Sequence, residues 1–304
     1  MKHIFIINPA AGKTDGTEVY RSAIDRICGG RGLDYRIEVS ARAGDCTRIA
    51  REAAQTGEEV RIYACGGDGT LNEVIAGAAG FPNAAVTNYT GGSGNDFVKI
   101  FDDPAPFRDL ERLLECEEAQ FDLIDCNGDY AVNICSVGLD ARIGVDMANY
   151  KRLPGISGSG AYILSTLINV FRGVSEHYVV EVNGERVDAE QTMICVANGR
   201  FYGGGFNPVP DADPTDGKLD VLLVKKLNLL QIATAISKYK RGLYATLPKL
   251  VRHFRTDRVR ILCDRLTPIN LDGELRQART VDMKITGEKI RFFYPRGLQW
   301  SAAK

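Results

Sequence analysis

Cys65-Gly66-Gly67-Asp68-Gly69-Thr70-Leu71-Asn72-Glu73 sets three glycines around one carboxylate. Residues 59–64 before it (Glu-Val-Arg-Ile-Tyr-Ala) are rich in strand formers, and Leu71 to Ala79 reads as a helix of small and apolar residues. The glycines therefore sit at a strand-to-helix turn where the backbone bends sharply and something approaches it closely. A helix N-terminus there offers unpaired N–H groups and a partial positive charge, which suits phosphate. Asp68 repels phosphate unless a cation lies between them, so the turn predicts a nucleotide carried with Mg²⁺. A plain tight turn is the competing reading of one such loop, and the loops around it decide between the two.

Working outward, the N-terminal run reads as a first strand ending at Asn8-Pro9-Ala10-Ala11-Gly12-Lys13-Thr14, a small-residue turn with one basic side chain. It lacks Walker A spacing; Lys13 would act as a point charge on phosphate. Helices are expected over 15–28 and 45–54, with a strand at 35–39 closed by Ser40. A strand at 84–88 leads into Thr90-Gly91-Gly92-Ser93-Gly94-Asn95-Asp96-Phe97, a third loop of the same kind. Repeated strand–loop–helix units are the grammar of a doubly wound, Rossmann-like α/β sheet, with ligands outside the carboxyl ends of the strands.

Near Asp122 the grammar changes. A strand at 121–125 meets Asn127-Gly128, a hairpin signal, and the chain returns as a strand over 130–137. A helix to about residue 149, a break at 151–158 and an apolar helix over 161–171 follow. From His177 strands dominate, including a pair across Asn183-Gly184, an expected hairpin of 280–285 with 289–294, and one helix over 228–243. The expected organisation is an α/β domain over 1–128, with about 293–304 packing back on it, and a β-rich domain over 129–292.

Composition narrows the function. A formal net charge of -1 gives no footing for general nucleic-acid binding. No apolar run reaches the roughly 18 residues of a membrane span, and the short apolar N-terminus has no cleavage region, so a cytoplasmic protein is expected. The eight cysteines form no CxxC pair and do not cluster with His3, His177 or His253; buried reduced thiols are expected, without disulfides or zinc.

With Leu271-Asp272-Gly273-Glu274 added, the motifs fall in one order along nearly the whole chain: Asn8 to Lys13, the Gly66–Thr70 turn, Gly92-Ser93-Gly94-Asn95-Asp96, then this acidic turn. In this the sequence resembles the diacylglycerol kinase catalytic-domain family, the soluble bacterial lipid kinases related to sphingosine and ceramide kinases. The resemblance implies a nucleotide domain, a C-terminal β-sandwich domain and an active site between them. It implies ATP as co-substrate and Asp272 as general base toward a lipid hydroxyl, with Glu274 on the nucleotide side. Nucleotide contacts would come from Asn8, Gly12, Lys13, Ser40, Gly66, Gly67, Asp68, Gly69, Thr70, Leu71, Asn72 and Ser93. Asp68, Asp96 and Asp122 would form an acidic network holding the catalytic Mg²⁺, partly through waters. The loop of Asp213, Asp216 and Lys218 would hold a structural Mg²⁺, largely through Asp216 and neighbouring backbone carbonyls, and a homodimer is a family option. Ser93 stands where many bacterial members have Thr, and Ala10-Ala11 where others carry hydroxyls.

A lipid substrate also needs apolar surface and access to a bilayer. The 161–171 helix would supply area, and Lys151-Arg152 with the run Lys238-Tyr239-Lys240-Arg241-Gly242-Leu243-Tyr244 an electrostatic footing on anionic membranes when the enzyme is active. The alternatives are a kinase of a soluble substrate such as NAD, which shares the GGDGT turn, and a non-catalytic nucleotide or lipid sensor. The acidic turn and the apolar second half oppose the former; the joint presence of Asp68 and Asp272 opposes the latter.

Overall fold

The computed structural model describes residues 1–12, 14–92, 94–150 and 174–300. Lys13, Ser93, Lys151, Arg152 and the expected 161–171 helix lie outside them.

The first half alternates strands and helices: β1 (Lys2–Ile7), α1 (Thr17–Ile24, extended by a π-turn at Asp25–Gly29), β2 (Tyr35–Val39), α2 (Asp45–Ala54), β3 (Val60–Gly66), α3 (Asp68–Ala78) and β4 (Ala84–Thr90). The four strands are parallel in the order β4-β3-β1-β2. Ile4, Phe5, Ile6 and Ile7 are all buried, because helices cover both faces of a parallel sheet and alternation has no solvent face to serve. Parallel pairing with crossover helices brings the carboxyl ends of β1, β3 and β4 to one edge, and with them the three small-residue loops.

A short helix α4 (Leu110–Leu114) leads into the β-rich half: β5 (Cys116–Cys126), β6 (Asp129–Ala131), β7 (Ile134–Gly138), α5 (Leu139–Tyr150), β8 (Glu176–Val182), β9 (Glu185–Ala197), β10 (Leu219–Lys225), α6 (Leu229–Lys240), β11 (Val251–Thr256), β12 (Arg258–Leu271) and β13 (Glu274–Pro295). Its core gathers inward positions of β5, β7–β10 and β12–β13. Three two-residue hairpins turn through positive φ at both central residues, Asn127-Gly128, Asn183-Gly184 and Asp272-Gly273. That conformation fits the strand twist and is tolerated by Asn, Asp and Gly.

Two expectations are corrected. The hairpin expected over 280–294 is one strand, β13. Against β5, Ile285 pairs with Ile124 and Lys289 with Asp122, so the extra residues around Gly287 bulge instead of turning back. The strand expected over 130–137 is broken at Val132-Asn133, where the amides leave the ladder to serve a side chain described below.

β13 joins the halves. Its first part pairs with β12, its later part with β5, and Arg291 and Phe292 pair in parallel with Ala85 and Val86 of β4. Phe292 packs on Phe97 and Phe121 inside the first core.

Candidate active site

A cavity of about 960 Å³ opens between the halves, lined by the loops after β1, β3 and β4 on one side and the β12–β13 turn on the other. Asp68 and Asp272, 204 positions apart in the chain, both line it.

The glycines are dictated by approach. A Cβ on Gly92 would lie 2.6 Å from the Gly67 Cα, and one on Gly94 would lie 2.5 Å from Asp68 Oδ2. The second and third loops thus touch backbone to backbone. Gly67 stands at the α3 N-cap, and no side chain caps the helix, so the first-turn N–H groups have no side-chain partner there and suit an anion. Asn8 Nδ2 donates to Thr70 Oγ1 at 3.1 Å, tying the first loop to this turn.

Asp68 is the first helical residue, and its Oδ1 accepts the Asp96 and Phe97 amides. Burial, then repulsion from Asp96, pushes its carboxyl up to about 6. Asp96 is occupied: Oδ1 meets Lys99 Nζ at 2.5 Å, and Oδ2 accepts the Gly204 amide at 2.7 Å. Asp68 Oδ2 is the oxygen left facing the loop. A buried carboxylate beside a like charge, at a helix end that binds phosphate, suits Mg²⁺, which takes one or two carboxylates and completes its shell with phosphates and water.

Asp272 is held from several sides. Oδ2 accepts the Val132 amide and Oδ1 the Ile134 amide, both at 2.7 Å; the Asn133 amide straddles the two oxygens at 3.1 and 3.2 Å, and Asn72 Nδ2 lies 3.4 Å from Oδ2. This is why the strand breaks at 132–133. Burial raises the Asp272 pKa, and the bonds from Ile134, Val132, Asn133 and Asn72 oppose the rise. Glu274 lines the same wall; a Cβ on Gly69 would lie 3.3 Å from its Oε1, and burial raises its pKa too.

Of the residues singled out in the sequence, Asn8, Gly12, Gly67, Asp68, Gly69, Thr70, Leu71, Asn72, Asp96, Asp272 and Glu274 line the cavity. Ser40 and Gly66 do not. Ser40 is buried at the end of β2, its amide on the Ile7 carbonyl, and Gly66 serves the turn itself, a Cβ there falling 2.3 Å from Thr70 Oγ1.

Asp122, unlike Asp68 and Asp96, does not line the cavity. It is buried at the junction of the halves, where Oδ1 meets Lys289 Nζ at 2.8 Å and Oδ2 accepts the Gly217 amide at 2.8 Å. The 213–218 loop lies at the same junction, its Gly217 amide on Asp122 and its Thr215 carbonyl on Lys289. Asp213 Oδ1 accepts the Thr215 amide and hydroxyl, Asp216 pairs with Arg255 and the Lys218 amide, and exposed Lys218 reaches Asp257 at 3.9 Å. Among the described residues no three His, Cys, Asp or Glu converge as a metal site. Lys289 at this junction also donates to the Thr215 carbonyl at 3.2 Å.

Other cavity residues escaped the sequence reading. Asp140, at the start of α5, lies in the more apolar part, its Oδ2 accepting Tyr202 Oη at 3.4 Å while Tyr202 and Tyr239 hydroxyls meet at 3.1 Å; burial pushes Asp140 up to about 6. The Gly203-Gly204-Gly205 run, all at positive φ, was the signal for the amide that holds Asp96. No helix among the described residues is long and apolar enough to cross a membrane.

Comparison with known proteins bears on this arrangement. Residues 2–126 match the diacylglycerol kinase catalytic domain, and residues 133–294 match the YegS C-terminal NAD kinase beta sandwich-like domain. A Staphylococcus carnosus protein that bears a provisional lipid-kinase name is 27% identical over 267 residues, covering 86% of each chain. A similarly named Staphylococcus aureus protein is 24% identical over 275 residues, covering 89% of this chain and 88% of its own. In fold, the chain is similar to a Bacillus anthracis structure described as a diacylglycerol kinase, with a TM-score of 0.69, 19% identity and 97% coverage of both chains. A second B. anthracis structure, with a provisional name of that kind, gives a TM-score of 0.74 at 20% identity and 98% coverage of both. An α/β half, a β-sandwich-like half and a shared cleft in motif order together place this chain in the diacylglycerol kinase catalytic-domain family, with its YegS-type C-terminal domain.

Proposed function

We propose that the protein is an ATP-dependent lipid kinase that moves the γ-phosphoryl group of ATP onto the hydroxyl of a lipid such as diacylglycerol. The observation that carries this reading is one cavity with a phosphate-type wall, bearing Asp68 and the α3 N-terminus, facing a wall that bears Asp272. Beyond them it becomes apolar, lined by Leu139, Ile143, Leu227, Ile232, Ile236 and Leu250, which suits an acyl chain better than a polar metabolite.

In this reading the glycine loops bind the phosphates through backbone amides, and Asp68 would hold Mg²⁺ through Oδ2, with Asp96, bonded to Lys99 and the Gly204 amide, behind it. The ion supplies charge neutralisation on the phosphates. Asp272 accepts the proton of the acceptor hydroxyl as its oxygen forms a bond to the γ-phosphorus and the bond to the β-phosphate bridging oxygen breaks, releasing ADP. The Asn72 contact, the longest at Asp272, marks the lone pair that the hydroxyl would take. Aligned donors that fix the carboxylate reduce reorganisation during transfer.

Incubating the protein with Mg·ATP labelled in the γ position, and either total lipid extract or NAD, tests the reading by mass spectrometry of the products. A phosphorylated lipid in the organic phase is the expected outcome. Label on NAD, or on water alone, counts against it.

A further inference from the structure

We infer that the outer face of α6 is the surface on which this protein docks to an anionic lipid bilayer. The inference rests on the lipid-kinase reading only in that the acceptor then lies in that bilayer. Seven large hydrophobic side chains are exposed among the described residues, and four fall in one short segment: Leu229 at 55%, Leu230 at 75%, Ile236 at 44% and Leu243 at 36%. Single exposed apolar residues are ordinary; a cluster at one place is not.

The same helix has a second face. Ile232, Ala235 and Tyr239 follow the i, i+3, i+7 spacing and line the cavity, and Tyr239 bonds Tyr202 there. Tyr239, which the sequence placed among the aromatics of a basic surface run, thus points inward. Ile236 belongs to both faces, exposed and lining the cavity, so the apolar surface outside is continuous with the apolar surface inside.

Charge identifies the occupant. Residues 229–240 contain no carboxylate, and Lys238 and Lys240 stand in the last turn with Arg241 after them and Lys225 before the helix. Among the described residues Lys225, Lys238 and Arg241 make no ion pair, whereas Lys226 is held by Glu190 at 2.7 Å. Leucines flanked by lysines, without acids, are the composition of helices that lie in the bilayer interface. Protein interfaces are depleted in lysine, and a two-fold contact between copies would gather Lys238 and Lys240 of both into one interface. With a formal net charge of -1, attraction to an anionic surface has to come from a local patch.

The test is co-sedimentation of the full chain with vesicles of mixed phosphatidylglycerol and phosphatidylcholine. The wild type should pellet at low salt and lose binding as salt rises. The double variant Leu229→Ser/Leu230→Ser, whose positions are exposed and outside the cavity, should keep its melting temperature and lose partitioning on the order of a hundredfold. With a short-chain diacylglycerol given as dispersed monomer, the variant should turn over like the wild type; with long-chain acceptor held in vesicles it should not. A variant that pellets like the wild type overturns the inference, as does one that pellets unchanged while its sedimentation coefficient falls from dimer to monomer, which would make this face a contact between copies. Wild-type pelleting without turnover on any lipid would count against the lipid-kinase reading and leave docking by α6 standing.

Discussion

Asp68 gives the site its pH dependence. Its folded pKa stands at about 6 against an ordinary 3.8, so the folded protein prefers the protonated form. Its favourable contribution is complete below about 3.8 and is lost as pH rises through about 6. A divalent cation needs the ionised form, so Mg²⁺ affinity should fall as pH drops through that value, and calorimetry in buffers of different ionisation enthalpy should detect proton release on binding near pH 6. Asp68→Asn keeps an oxygen for the Asp96 amide. Without Mg²⁺ it should melt above wild type at neutral pH, with the gap closing below the ordinary carboxylate pKa, while Mg·ATP binding weakens. An equal melting temperature at both pH values would show that the charge is not strained. Asp272→Asn tests a different property. The left-handed turn accepts Asn, but one amide nitrogen must then face a backbone N–H now bonded at 2.7 Å. We expect a loss of about 1–3 kcal/mol in denaturant unfolding, apart from any effect on turnover. At this scale the sequence was legible where chemistry forces local geometry, as in Gly67, Asp68 and the Asp272-Gly273 turn. The resemblance set Asp122 beside the catalytic Mg²⁺, but its type and strand position do not reveal that Lys289 is its partner.

Elements show where local signals compete. Gly77 lies inside α3, where Ala would ordinarily favour the helix by about 1 kcal/mol. Here a Cβ would fall 2.3 Å from the Thr47 carbonyl of α2 and 2.8 Å from Ala50 Cβ. Gly77→Ala should therefore destabilise by about 1–3 kcal/mol; a raised melting temperature would show that the two helices do not pack this closely. Asn228 caps α6, accepting the Gln231 amide while the Gln231 side chain answers to the Asn228 amide. Asn228→Ala should cost about 1 kcal/mol, read as earlier hydrogen exchange in the helix's first turn. The parallel strands were readable from apolar runs closed by glycine loops, and two hairpins from Asn-Gly. The gap between β6 and β7 was not, because its cause lies about 140 positions away in Asp272. The bulge in β13 was mistaken for a turn because Thr286-Gly287-Glu288 has turn composition, and only pairing with β5 on the far side keeps the strand running.

For the whole molecule, β13 is the connection on which the cleft depends, since it pairs in both halves and its Lys289 ties buried Asp122 to the 213–218 loop. Lys289→Met leaves that carboxylate with the Gly217 amide and no cation. We expect about 1–3 kcal/mol of lost stability, since the lysine is partly solvated, and no change in the Mg²⁺ dependence of turnover. A changed Mg²⁺ requirement would return Asp122 to the catalytic centre. The family resemblance implied the two-wall arrangement without structure; the closeness of the walls, set by β13, was not readable. The most direct measurement is single-turnover phosphoryl transfer by Asp272→Ala beside ATP affinity by calorimetry on the same preparation. The account predicts transfer slowed by roughly 10²–10⁴-fold with ATP affinity nearly unchanged. Transfer at the wild-type rate would contradict it.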